Sequence, residues 1–141
     1  MTPKQIALIQ MSFAKVVPIA DAATTMFYAR LFEIAPDTRP LFPEDLTELK
    51  KKLVLMLESI VTGLTQLDRL IPSVHELGER HAAYRVNVEH FMPVGTALLW
   101  TLQQGLGEEF TPEVEDAWST AYDLLAQTMI DGMMQKVSQA A

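Results

Sequence analysis

Cysteine is absent from the 141 residues, and that gap removes disulfide scaffolds, zinc ribbons, iron–sulfur clusters and thiol catalysis together. A chain of this length buries a sizeable core without such clips. The absence also fits a reducing cytoplasm, the expected location. Histidine is scarce, with three in all, so a multi-histidine metal site has little to draw on. Positive charge is in deficit: 11 Lys and Arg stand against 18 Asp and Glu, for a net charge of −7. An acidic surface repels phosphate backbones, and no nucleic-acid partner is expected. The one basic cluster, Lys50-Lys51-Lys52, reads as a solvated helix face. Long continuous apolar runs are missing, so no membrane crossing is expected. The opening MTPKQIALIQM has neither the apolar run nor the small-residue cleavage site of a signal peptide. Gly-rich phosphate loops and the Gly-x-Ser-x-Gly elbow do not occur; Gly105 and Gly107 lead into an acidic segment.

What is present is helical period from end to end, without a convincing alternating stretch. Thr2-Pro3 opens a helix with Ile6, Ile9 and Phe13 on one side, and Pro18 ends it. Asp21 is placed to cap a second helix that carries Phe27, Tyr28, Leu31 and Phe32 and stops before Pro36. A short helical turn from Pro36 to Phe42 follows. A fourth helix starts near Pro43 to Leu46; its Leu46, Leu49, Leu53, Met56, Leu57, Ile60 and Leu64 put one face inward. The next runs from about Ile71 to Tyr84 with Val74, Leu77 and His81 in line, and another from about Val88 to Leu106. Thr111 caps the last helix, with Pro112 at its first position and Trp118, Tyr122, Leu125 and Met129 inside. About seven helices with short joints predict one all-α domain over residues 1–141.

Among the three histidines, His81 continues an apolar stripe, with Leu77 four and Val74 seven residues before it. Read alone, it is a core histidine bonded to a backbone carbonyl, because a buried ring nitrogen needs a partner. His75 and His90 stand six and nine residues from it, not the four that stacks two ligands on one helix face, and both read as surface residues. Glu76 and Glu79 fall on the solvent side.

Three longer segments decide more than any single residue. FYARLFEIAPDTRPLF holds a Tyr in the second helix, a Pro opening the third, and a Phe six residues after that Pro: Tyr28, Pro36 and Phe42. LGERHAAYRVNVEHFMPVGTALLWTL surrounds His81, 39 residues after Phe42, and EVEDAWSTAYDLLAQTMI closes the chain with a Trp-x3-Tyr. In this order and spacing they resemble single-domain bacterial globins and the haem domains of flavohaemoglobins. The resemblance implies three-over-three helix packing around one haem b, with His81 as the proximal iron ligand. It places Phe42 flat on the porphyrin and Leu77 beneath it. Leu53 and Val94 become distal walls, Leu49 the distal position of the fourth helix, and Tyr28 the hydroxyl aimed at bound gas. A neutral imidazole suits ferrous iron and leaves the sixth position open.

Two departures from the family pattern stand out. The distal position of the fourth helix, usually Gln or His, falls on Leu49, which cannot donate a hydrogen bond; the adjacent Lys50 could instead reach the pocket. Behind His81, where flavohaemoglobins place a Tyr and a Glu, stand Phe91 and Met133, which removes a strong electronic push on the proximal ring. The flavin and nicotinamide domain is also missing from these 141 residues. The resemblance therefore implies reversible binding of O2, and of CO and NO, for storage, transport or sensing rather than enzymatic turnover. Nitric oxide dioxygenase activity with a separate reductase is the enzymatic alternative, and a haem-free regulator the third. Apolar positions on the last two helices suit a monomer or a homodimer.

Overall fold

The first helix begins as its chemistry dictates. The Thr2 hydroxyl accepts from the Gln5 amide while the Gln5 side chain accepts from the Thr2 amide, a reciprocal cap at 3.1 and 3.0 Å. The computed structural model describes residues 1–82 and 88–140. Its helices are α1 (Pro3–Val16), α2 (Ala20–Ile34), α3 (Thr47–Gly63), α4 (Leu67–Ala82), α5 (Phe91–Leu106) and α6 (Pro112–Ala140), joined by 3₁₀ turns. No strand occurs among the described residues. Six α-helices form where about seven were expected, because Pro36–Leu41 stays a 3₁₀ turn. Pro40 lies inside that segment and has no amide to donate, so a full α-helical ladder cannot close there.

Helix boundaries moved in three other places. Asp21 does not cap α2. The helix starts at Ala20 straight from the Val17–Ile19 turn, which leaves Asp21 inside the first turn with its carbonyl accepting from the Thr24 and Thr25 hydroxyls. Helix α3 starts at Thr47, where the Asp45 carboxylate accepts from the Thr47 amide and hydroxyl at 3.0 and 2.7 Å. Those two bonds, the side-chain one first, hold the Asp45 carboxyl below the usual carboxylate range. Helix α4 starts at Leu67 and runs through Pro72; burial of Leu70 and Val74 on either side of the proline outweighs one missing hydrogen bond. Its far end near Tyr84 lies outside the described residues. Thr111 does cap α6, accepting from the Val114 amide at 3.3 Å.

The larger core joins α1, α4, α5 and α6 around Ile9, Phe13, Val74, Leu102 and Trp118. The Trp118 indole donates to the Ser12 hydroxyl at 2.9 Å, so a polar atom in this core is satisfied across 106 positions of sequence. The stretch Pro3–Ile34 has the length and mean hydropathy of a membrane span. It is two helices broken at the turn that contains Pro18, and its Ile9, Phe13, Phe27 and Leu31 are built into the interior. Helices α4 and α6 pack most extensively of any pair. Gly78 and Gly132 make this possible: a Cβ on Gly78 would strike the Met129 carbonyl, and one on Gly132 the His75 carbonyl. Backbone meets backbone there, and α4 is fixed in the position from which it presents His81.

Candidate functional site

A second, smaller cluster gathers Phe27, Tyr28, Leu31, Ala35 and Ala97, with Phe32, Phe42, Leu46, Leu53, Val94 and Leu98 packed against it. Four of the sequence candidates therefore meet: Tyr28 from α2, Phe42 from the corner after it, Leu53 from α3 and Val94 from α5. Ring contacts order the group. Phe42 stands edge-on to Tyr28 with centroids 5.7 Å apart and edge-on to Phe32 at 5.4 Å, while Phe27 meets Tyr28 at 5.0 Å.

Tyr28 is 6% exposed, yet its hydroxyl has no hydrogen-bond partner among the described residues. Burial raises its pKa above the ordinary tyrosine value, with no bond to the oxygen opposing the shift. The oxygen is not sealed among protein atoms, so it is free to donate to a molecule that enters beside it. Tyr122 differs: its hydroxyl donates to the Phe91 carbonyl at 2.5 Å.

Helix α4 carries the candidate nitrogen ligand. The His81 ring is half-buried, and its Nδ1 lies 2.8 Å from the Leu77 carbonyl. A carbonyl only accepts, so Nδ1 carries the proton and the ring's donor pair sits on Nε2, the atom able to bind a metal. The backbone-bonded histidine read from the sequence is what the structure shows, and that bond is compatible with Nε2 as a metal ligand. Leu77 and Leu49 are half-buried and lie outside the Tyr28 cluster. Lys50 turns to α2, its Nζ 3.3 Å from the Thr25 hydroxyl. Met133 is buried, and Phe91 offers only its carbonyl as a polar group.

The face of α3 is the other unusual surface. Its inward stripe of Leu49, Leu53, Met56, Leu57 and Ile60 is only half-buried, and Val61 alone is fully covered. An apolar stripe of that length normally lies against protein. Among the described residues no group of three acidic, histidine or cysteine side chains could hold a bare metal ion. A flat apolar macrocycle carrying its own iron suits this donor set: one imidazole, an incompletely covered leucine face, and a tyrosine hydroxyl that bonds no described protein atom.

The globin family model matches residues 25–129, three-quarters of the chain. The chain belongs to the globin family. Its relatives include the flavohemoprotein of Vibrio cholerae, 29% identical over 134 residues, which cover 93% of this chain and 34% of that protein. The chain thus spans about a third of the flavohemoproteins it matches. Neuroglobin of Danio rerio is 32% identical over 121 residues, 76% of each chain. Among solved structures, an engineered carbene transferase from Rhodothermus marinus superposes with a TM-score of 0.87 at 24% identity, over 99% of this chain and 98% of that one. That likeness establishes the globin fold. Haem is the cofactor of the family.

Reading the sequence missed three features of the site. The Gly78–Gly132 crossing pairs residues 54 positions apart, and neither glycine has a local signal. Arg39 passed unnoticed because nothing in DTRPLF marks the carbonyls it would find. The vacant bond at Tyr28 is a property of its surroundings and has no counterpart in sequence.

Proposed function

We propose that this globin holds haem b through His81 and binds O2 reversibly at the ferrous iron, with CO and NO as alternative ligands. The observation that carries this reading is Tyr28, whose ring is buried in an aromatic and aliphatic cluster while its hydroxyl makes no protein hydrogen bond among the described residues and keeps open space beside it. A hydroxyl so placed is free to donate to a bound molecule from outside the protein. Haem supplies the iron and its redox chemistry when bound. The chain's own residues do the rest. The Leu77 carbonyl orients His81 and fixes its tautomer. Phe42 gives an apolar wall, Leu49, Leu53 and Val94 limit the space and exclude water, and the Tyr28 hydroxyl donates to a gas molecule. Leu49 cannot add a second donor. The site serves storage, transport or sensing in a single globin domain.

A nitric oxide dioxygenase reading has support from the flavohemoprotein relatives and from the dioxygenase name carried by the Rhodothermus protein. It requires a separate reductase. Phe91 and Met133 weigh against it, since neither side chain can strengthen the proximal imidazole by hydrogen bonding.

The deciding experiment is an absorption spectrum of the purified protein with added haem, in ferric, ferrous and carbonyl forms. We expect a Soret band that shifts with each state and is lost or strongly altered in His81→Ala. No Soret band after haem addition ends the haem reading. Mixing the oxygenated protein with NO, with and without a reductase, then separates the roles: a single stoichiometric reaction supports binding, and sustained turnover supports the dioxygenase.

A further inference from the structure

The corner between α2 and α3 is built around a cation. Pro40 and Pro43 have no amide hydrogen, and the chain from Phe42 to Asp45 lies outside any helix, so its carbonyls have no ladder to join. Arg39 collects three of them. One terminal nitrogen donates to the Phe42 carbonyl at 3.2 Å and the Pro43 carbonyl at 3.0 Å, and the other to the Glu44 carbonyl at 3.2 Å. The same guanidinium sits over the Phe32 ring, 5.0 Å from its centroid. No carboxylate pairs with Arg39 among the described residues, so the planar fork serves the corner alone.

Phe42 is therefore gripped twice. Arg39 binds its carbonyl directly and also braces Phe32, the ring on which the Phe42 ring stands edge-on. Phe42 in turn abuts Tyr28 edge-on, and Phe32 meets Tyr28 at 6.1 Å. We propose that Arg39 is a positioning residue for the gas site: by clamping the corner it sets the Phe42 ring, and through the Phe42 and Phe32 rings it holds the Tyr28 hydroxyl in place. This deepens the oxygen-binding reading and rests on it for the role of Tyr28, while the clamp itself can be tested without haem.

Arg39→Gln removes the charge and the fork, Arg39→Lys keeps a charge that can serve one or two carbonyls, and Phe32→Leu removes the stacking platform while keeping Arg39. The first readout is nuclear Overhauser contact between the Phe42 and Tyr28 rings, measured on protein as purified and on protein freed of haem. We expect the contacts to weaken in Arg39→Gln and Phe32→Leu and to be partly restored in Arg39→Lys. The second is O2 dissociation from haem-loaded protein. Arg39→Gln should speed it severalfold, up to about tenfold, the ceiling set by the neutral Tyr28 hydrogen bond through which it acts. In a Tyr28→Phe background the same substitution should add less than twofold, because the effect travels through Tyr28. Should Arg39→Gln fail to fold, Arg39→Lys and Phe32→Leu carry the same comparison. Absence of any haem spectrum in the parent protein would defeat the oxygen reading and leave the ring contacts to judge the clamp. Unchanged ring contacts in Arg39→Gln and Phe32→Leu, or an equal rate increase with and without the Tyr28 hydroxyl, would overturn the proposal.

Discussion

Two tyrosines in one small helical protein, one buried and one half-buried, have opposite fates. Tyr122 donates to the Phe91 carbonyl, and Tyr28 donates to no described protein atom. Replacing Tyr28 by Phe removes a hydroxyl that bonds no described protein atom; if it serves the gas as proposed, the fold should gain or hold stability while O2 leaves faster, up to about tenfold for a neutral hydrogen bond. Stopped-flow dissociation measures it, and an unchanged rate means that Tyr28 faces elsewhere. Tyr122→Phe should do the reverse: about 1 kcal/mol less stable, read from denaturant unfolding, with the gas rate within twofold. Both tyrosines also titrate late. Desolvation raises each pKa, and for Tyr122 the charge of Asp123 adds to it. With folded pKa above unfolded pKa, their contribution to stability is whole below about pH 10, where the unfolded chain begins to ionise, and is lost as pH rises towards the folded values. Circular dichroism against pH should show unfolding in that alkaline window, coincident with tyrosine ionisation in the ultraviolet; ionisation at pH 10 with the fold intact would contradict the burial.

At the scale of elements, what could be read from sequence was whatever is written within one turn. The cap at Thr2 needs only Gln5, and the cap at Thr111 needs only Val114, so both were legible. The α3 stripe and the Val74–Leu77–His81 line were legible for the same reason. The short helical turn from Pro36 was legible too, since Pro36 opens it, and Pro40 keeps it a 3₁₀ turn. The start of α4 was placed after Leu67 because Pro72 looks like a boundary, and only the buried Leu70 shows that the helix runs through it. The α4–α6 crossing was illegible, since it depends on two glycines meeting carbonyls of another helix. Gly132→Ala should push the helices apart and destabilise by about 1–3 kcal/mol, typical of overpacking. Adding Gly78→Ala should cost less than a second full increment, because a gap opened for one methyl also admits the other. Urea unfolding of the two single variants and the double reads this directly, and strict additivity would mean that the glycines act separately.

Across the whole molecule, the two clusters differ in how completely they are filled. Where α1, α2, α3, α5 and α6 converge, an apolar hole of about 40 Å³ remains, closed on its inner side and open at its rim, lined by Phe13, Ala23, Phe27, Leu57 and Trp118 among others. Thr24 and Thr101 also border it, but their hydroxyls donate to helix carbonyls, at 2.8 Å to Ala20 and 2.8 Å to Ala97, and offer a water nothing to hold. A void of this size leaves roughly 1 kcal/mol unrealised. Ala23→Val should recover part of it, seen as a higher urea midpoint with unchanged slope; a lower midpoint would show that the walls cannot accept the methyls. The hole has a mechanical meaning as well. It vanishes when the chain unfolds, so the native form occupies the larger volume, and squeezing the solution shifts the balance towards the open chain. Under hydrostatic compression the parent protein should give way at a lower pressure than Ala23→Val, at a temperature where heat alone leaves both intact.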